Sequence, residues 1–210
     1  MPYISIMDDL QRRIIDAALP HVSFDGWTMQ TLRAAAESAG LPAIDAQRAF
    51  PGGVIEAIMC WIDDANEHME HSLKNDYALD TMRIRDRIAT AVMVRLRQNQ
   101  DHREAARRSA AYLSLPWNAS YALKALYNTV DIMWRCAGDT STDFNFYTKR
   151  GLLSKVYMST YYVWLNDDSE NQQDTEAFLR RRIDDVMQIQ KFKGKISKWM
   201  PTMPFNKAAS

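Results

Sequence analysis

The sequence predicts an all-α protein, because apolar residues recur at helical spacing along most of the chain. No segment shows the apolar–polar alternation that is typical of a half-buried strand. The chain has 210 residues, of which 47% are hydrophobic and 25% are charged, so it can bury a sizeable core. Its 26 basic residues balance 26 acidic ones, which gives no overall attraction to nucleic acid.

Nine helices are predicted, each from an apolar stripe between residues that begin or end helices. They cover about residues 8–21, 29–39, 43–50, 54–73, 82–98, 103–113, 119–137, 144–165 and 175–190. Thr28, Asn118 and Asp174 are placed to cap helices, because their side chains accept hydrogen bonds from free backbone N–H groups. Gly40 and Gly138 are placed to end helices, because glycine adopts the left-handed conformation at little cost.

Three regions are predicted: a helix-turn-helix-like region (1–53), a larger helical region (54–190) and a basic amphipathic tail (191–210). Three short helices with a turn at Gly40 match the arrangement of many DNA-binding domains. Phosphate contacts require cations, yet residues 1–60 hold four arginines against seven acids, a net charge of −3. We therefore expect this region to be a scaffold, and DNA is not an expected partner.

The helix at about 119–137 carries polar and aromatic residues opposite its apolar stripe. Asp131, Trp134 and Arg135 lie on that outward face together with Asn128. A tryptophan beside charged residues is typical of a protein-binding hot spot. The alternative is a tryptophan half-buried beneath a neighbouring loop, and the sequence does not decide between the two.

The segment 144–165 is crowded with aromatic residues and has few charges after Lys155. A helix that is apolar around most of its circumference is either central or lines an apolar cavity. Methionines elsewhere, such as Met93 and Met133, suit a pocket for a flexible lipid as well as an ordinary core.

Lysines alternate with apolar residues in the tail, and no acid follows Asp185. A cationic amphipathic helix with a tryptophan on its apolar face is typical of a membrane-surface anchor. The alternatives are a disordered basic tail or a helix that packs on the protein. The predicted membrane-contacting residues are Phe192, Lys195, Ile196, Lys198, Trp199 and Met200.

The sequence contains none of the motifs that are typical of disulfide-rich proteins, di-metal centres or phosphate-binding enzymes. Cys60 and Cys136 are far apart, His68 and His71 belong to no Glu-x-x-His motif, and no phosphate-binding glycine loop occurs. We therefore expect no catalytic residues, no cofactor and no metal, hence no enzyme. We expect no signal or transit peptide and no spanning segment. The expected location is cytoplasmic, peripheral on the inner membrane.

The segment from Asp131 to Tyr157, DIMWRCAGDTSTDFNFYTKRGLLSKVY, resembles the lipid-binding accessory proteins of ubiquinone (coenzyme Q) biosynthesis. The resemblance extends over roughly 85–190 and includes the RIDD sequence at 182–185. The N-terminal segment RIIDAALPHVSFDGWTMQTLRAAAESAGL is similar to TetR-type repressors, whose fold that family shares. It departs from them in the third helix, where PAIDAQRAF replaces a polar reading face.

The resemblance implies a TetR-like fold, a homodimer and an internal pocket for an isoprenoid lipid or quinone intermediate. Its implied lining residues are Met93, Leu96, Leu113, Leu126, Val130, Met133, Val156, Thr160 and Trp164. It also implies a protein partner, the demethoxyubiquinone hydroxylase, docked on Asn128, Asp131, Trp134 and Arg135. The sequence thus predicts a non-enzymatic protein that presents a prenylated quinone intermediate at a membrane surface. The alternative is a TetR-like, ligand-responsive transcriptional regulator.

Overall fold

A computed structural model describes residues 8–142 and 144–197, with only the backbone for Phe144 and for residues 188–197. Within these ranges the chain forms nine α-helices and no strand, which confirms the all-α prediction. The helices are α1 (Asp9–Asp25), α2 (Met29–Ser38), α3 (Ile44–Ala49), α4 (Val54–Asn75), α5 (Ile84–Arg97), α6 (Arg103–Leu113), α7 (Ala119–Cys136), α8 (Phe144–Trp164) and α9 (Gln173–Ser197).

The first three helices form a small bundle in which α2 packs against both α1 and α3. Ile14 and Leu32 are fully buried there. Helix α1 also contacts α4 and α6, and Trp27 lies 5.9 Å from Trp61 of α4 between ring centroids. One continuous apolar core therefore joins this bundle to the rest of the chain.

Helix α5 is central in the remaining part, since it contacts α4, α7, α8 and α9. Its neighbour α8 has two distinct faces. Trp164 is fully buried, whereas Tyr147 and Tyr162 are 69% and 72% exposed. The crowding of aromatic residues in α8 therefore does not bury the helix on all sides.

Two predicted caps differ from the structure. The side chain of Asn118 donates to the carbonyl oxygen of Tyr112 at 2.9 Å and makes no cap bond to α7. Asp174 lies in the first turn of α9, and the capping carboxylate is Asp167, which accepts from the backbone N–H of Thr175 at 2.9 Å. Asp167 lies in the preceding loop, eight residues before Thr175, which is farther away than the usual spacing of an N-cap residue.

The predicted stops at glycine agree with the structure. Gly40 and Gly138 have φ of +73° and +87°, and both follow the ends of helices. Thr28 caps α2 as predicted, accepting from the N–H of Thr31 at 3.0 Å. None of the described helices is both long and apolar enough to cross a bilayer. The division into 1–53, 54–190 and 191–210 stays a prediction.

Candidate functional site

An apolar cavity of about 370 Å³ lies between α4, α5, α6, α7 and α8. Trp61 and Ile62 of α4, Leu113 of α6 and Leu126 of α7 contribute to its wall. Its volume lies at the lower end of the range of about 300–1,000 Å³ that is usual for small-molecule sites. The cavity is therefore large enough for a substituted ring with a short hydrocarbon chain.

The cavity has an exposed apolar end and a buried end. Leu123 and Met158 belong to its wall and are 68% and 46% exposed, so the opening lies beside them. Trp61, Ala125 and Tyr157 also line the cavity and are buried, so they mark its inner part. An apolar group can thus enter from the surface and lose its contact with water, which is favourable by about 0.8 kcal/mol for each CH₂.

Polar groups are concentrated at the buried end. Arg95 is only 4% exposed and belongs to the wall, as do the buried Thr129 and Asn99. The Nε of Arg95 donates to Oδ1 of Asn66 at 3.1 Å, and Thr129 Oγ1 lies 3.0 Å from the same oxygen. The buried Nδ2 of Asn66 has no hydrogen-bond partner among the described residues.

Two tyrosines of α8 complete the wall beside this polar group. Burial raises the pKa of both Tyr157 and Tyr161, although the nearby Arg95 lowers each of them. Both phenols are therefore neutral at physiological pH. Tyr161 donates to the carbonyl oxygen of Ala106 at 3.0 Å, which ties α8 to α6.

The predicted lipid-binding residues fall in three places. Leu113 and Leu126 line this cavity, and Val156 lines a second one. The others lie in the packed core and on the wall of neither cavity: Met93, Leu96, Val130, Met133, Thr160 and Trp164. The assignment of lipid-binding residues therefore stays a prediction, and geometry supports it most directly for Leu113 and Leu126.

Sequence reasoning missed the polar residues of the wall, Arg95 above all. The sequence could have indicated that Arg95 is buried. It follows Ile88 by seven residues and Ala91 by four, which places it on the apolar stripe of α5. A charged residue on such a stripe is rarely fully buried without a partner. Tyr157 belongs to the aromatic segment 144–165, which was expected to be central or to line a cavity, whereas no local pattern marks Asn66.

Trp134 lies half-buried at a second cavity of about 360 Å³, formed by α5, the α7–α8 connection, α8 and α9. Its Nε1 donates to the carbonyl oxygen of Lys149 at 3.1 Å, and the Lys149 ammonium lies 5.5 Å from the ring centroid. The side chain therefore joins α8 to α7. This arrangement is close to the alternative of a tryptophan half-buried beneath a neighbouring segment.

Four charged residues that we call the α7–α8 corner surround this tryptophan: Asp131, Asp139, Lys149 and Arg150. Asp139 forms ion pairs with Lys149 at 2.7 Å and with Arg150 at 3.0 Å, and Arg150 also pairs with Asp131 at 2.6 Å. Burial alone would raise the pKa of Asp139, but hydrogen bonds from Lys149, Ser141 and Arg150 lower it to about 2. The corner thus fixes the geometry of the connection through charge pairs, of which the pair between Asp139 and Arg150 is buried on both sides.

The predicted partner-binding residues share one outward face of α7. Arg135 is exposed and pairs with Asp131 at 3.1 Å, while Asn128 is half-buried. Tyr127, on the same face, is 42% exposed. Tyr127 and Arg135 are thus accessible on this face, whereas Asn128, Asp131 and Trp134 are half-buried and Trp134 faces the second cavity.

Other candidate residues are accounted for in simpler ways. His68 Nδ1 lies 3.3 Å from Asp64 Oδ2 one helical turn away, a local pair within α4. In α3, Arg48 pairs with Asp45 at 3.0 Å and Ile44 is 52% exposed, so its surface offers little free positive charge. The side chains of the predicted membrane-contacting residues, 192–200, lie outside the described residues.

Comparison with known proteins agrees with this geometry. The crystal structure of a TetR transcriptional regulator from Nitrosomonas europaea superimposes with a TM-score of 0.70 at 19% identity, covering 84% of this chain and 97% of that one. The described part of the chain thus has the TetR fold, and the predicted fold is confirmed.

Residues 119–190 match the COQ9 family. The rat protein "Ubiquinone biosynthesis protein COQ9, mitochondrial" is 35% identical over 188 residues, which are 87% of this chain and 60% of the rat protein. The human protein of that name is 34% identical over 188 residues, covering 87% and 59% respectively. The chain is therefore similar to the COQ9 ubiquinone biosynthesis proteins over most of its own length. It spans about three fifths of the length of these relatives.

Proposed function

We propose that this chain is a non-enzymatic lipid-binding protein of ubiquinone biosynthesis, which binds a prenylated quinone intermediate in the cavity between α4 and α8. The observation that carries the proposal is the cavity itself, with its apolar exposed end and its buried end closed by polar groups. Each buried CH₂ contributes about 0.8 kcal/mol, so binding requires an apolar cavity and no reactive group.

Mass spectrometry of lipid extracted from the purified protein tests this proposal. We expect a prenylated quinone or precursor in near-stoichiometric amount when the host makes quinones. Ala110→Trp should abolish its retention, because Ala110 lines the cavity. Ala111→Trp, on the exposed side of the same helix, is the matched control and should retain the lipid. Recovery of bulk phospholipid alone, or equal retention by both variants, would contradict the proposal.

The protein would present the lipid to the demethoxyubiquinone hydroxylase, docked on the outward face of α7. This face carries the exposed Tyr127 and Arg135 beside the half-buried Asp131, a mixture of aromatic and charged residues that is typical of interfaces. Arg135→Ala should weaken a pull-down of the hydroxylase without changing the fold. Lys155→Ala, on an exposed position of α8, serves as the control. An unchanged pull-down of Arg135→Ala would remove this face as the docking site.

The tail would hold the protein at a membrane surface, a proposal that rests on its sequence alone. Deletion of residues 191–210 should abolish flotation with anionic liposomes while the helical circular dichroism spectrum is kept, because that segment holds the lysines and Trp199. Flotation that persists after deletion would remove the tail as the anchor. The homodimer also stays a proposal, which light scattering on the full chain checks.

A further inference from the structure

Arg95 is a buried cation whose charge no described residue neutralises at close range. Its side chain donates through Nε to the neutral Asn66, and no described residue accepts from its four Nη hydrogens. No described carboxylate oxygen lies within 4.0 Å of it, although the charge of Arg95 does reach Asp63 and lowers that residue's raised pKa. Buried charges in proteins are ordinarily paired, because desolvation of an isolated ion is costly.

The position of Arg95 shows where such a pairing would occur. The residue belongs to the cavity wall, so its donors face the cavity or the packed groups around it. Asn66, itself 1% exposed, holds the Nε edge and thereby orients the guanidinium. The neutral phenol of Tyr157 lines the same wall.

We infer that Arg95 binds the oxygen-bearing ring head of the prenylated ligand, which therefore enters the cavity head first with its chain trailing past Leu123 and Met158. This inference rests on the proposed lipid-binding function. It names the head group by its chemistry: an acceptor oxygen that is a ring carbonyl of a quinone or a carboxylate of an earlier aromatic precursor. Asn66 is a positioning residue, because it acts on the head through Arg95.

Cavity size supports this orientation. A cavity of about 370 Å³ takes a ring and a short length of chain, whereas a polyprenyl chain of many units exceeds it. The polar groups lie at the buried end and the exposed wall at Leu123 and Met158 is apolar. A ligand with its chain inward would bury hydrocarbon against Arg95 and expose its ring. Head-first binding protects the ring during transport, so the lipid must leave the cavity before its ring can react in the hydroxylase.

Equilibrium dialysis of the full chain with three probes tests the inference. The probes share a geranyl chain: a geranyl dimethoxybenzoquinone, geranyl-4-hydroxybenzoate and geranyltoluene, which lacks head-group oxygens. We expect the wild type to bind an oxygen-bearing probe about ten- to a hundredfold more tightly than geranyltoluene, the range for hydrogen bonds to a charged group. Whichever oxygenated probe binds more tightly identifies the quinone or the carboxylate as the head.

Three variants separate the role of Arg95 from general effects. Arg95→Met should remove the preference for oxygenated probes and keep the affinity for geranyltoluene. Asn66→Asp gives Arg95 an internal carboxylate without removing it, and should also reduce the preference while the fold is kept. Arg97→Met is the matched control, because Arg97 lies on the same helix, outside the cavity wall, and pairs with Glu176. It should behave like the wild type.

The outcomes that overturn the inference differ from those that overturn the proposed function. If geranyltoluene binds the wild type as tightly as the oxygenated probes, or if both Arg95→Met and Asn66→Asp retain the preference, head-first binding is wrong and lipid binding stands. If none of the three probes binds the wild type, the proposed function fails and the inference fails with it. Should Arg95→Met not fold, Asn66→Asp and the wild-type preference decide the question.

Discussion

Replacing Asp139 by Asn tests whether the α7–α8 corner stabilises the fold. The substitution keeps the shape of the side chain and removes the charge that pairs with Lys149 and Arg150 at 2.7 and 3.0 Å. The pKa of Asp139 is lowered from 3.8 to about 2, and a tenfold change in an acid dissociation constant corresponds to about 1.4 kcal/mol, which gives about 2 kcal/mol. Arg150 keeps its second carboxylate partner, Asp131, so the loss should not greatly exceed this value.

The sign of the pH dependence follows from the lowered pKa. The carboxylate of Asp139 stabilises the folded protein fully above the unfolded-state pKa of 3.8, and this contribution is lost as the pH falls towards about 2. Urea unfolding followed by circular dichroism should therefore show a difference of about 2 kcal/mol between wild type and Asp139→Asn at pH 7. The difference should shrink steadily between pH 4 and pH 2.

Asp168→Asn is the matched control, since Asp168 also pairs with an arginine, Arg103 at 2.8 Å, but its side chain is 88% exposed. Exposed pairs contribute little, so this variant should lie within about 0.5 kcal/mol of the wild type. A loss at Asp139 no larger than that of the control would refute the reasoning. So would a difference that stays constant down to pH 2, because it would not arise from the charge.

Three further predictions concern other elements. Gly138→Ala should lower the free energy of unfolding by roughly 1–2 kcal/mol, because φ is +87° and the new Cβ would lie 3.1 Å from Arg87 Nη1. Gly151→Ala, in open space within α8, should instead raise it by about 0.5–1 kcal/mol. Thermal melts in which both variants shift in the same direction would contradict this. Burial raises the pKa of the Cys60 thiol from 9.0 to about 11, so iodoacetamide at pH 8 should label it about a hundredfold more slowly than a peptide thiol. Peptide mapping follows the labelling, and equal labelling rates for Cys60 and the peptide thiol would contradict the raised pKa. Trp134→Phe should cost about 1 kcal/mol in urea unfolding through loss of the hydrogen bond to Lys149, and no loss would mean that this bond is not stabilising.

Local sequence patterns determined the helices of this protein because helix formation depends on residues three and four positions apart. The stops at Gly40 and Gly138 and the cap at Thr28 are contacts within a few residues, and each was predictable. The all-α class followed from the helical spacing of apolar residues, and the TetR-like fold from the resemblance of the N-terminal segment to TetR-type repressors. The cap of α9 was not predictable in this way, because Asp167, eight residues before Thr175 in the preceding loop, takes the place of Asp174.

Only the tertiary structure decided which side chains surround the cavity. Trp61, Arg95 and Tyr157 come from α4, α5 and α8 and meet at one wall, although more than thirty residues separate each from the next along the chain. Leu96, predicted to bind lipid, is packed in the core, while its neighbour Arg95 lines the cavity. The physical reason is that successive helical residues point about 100° apart, so the packing of neighbouring helices decides which of two adjacent side chains faces a cavity.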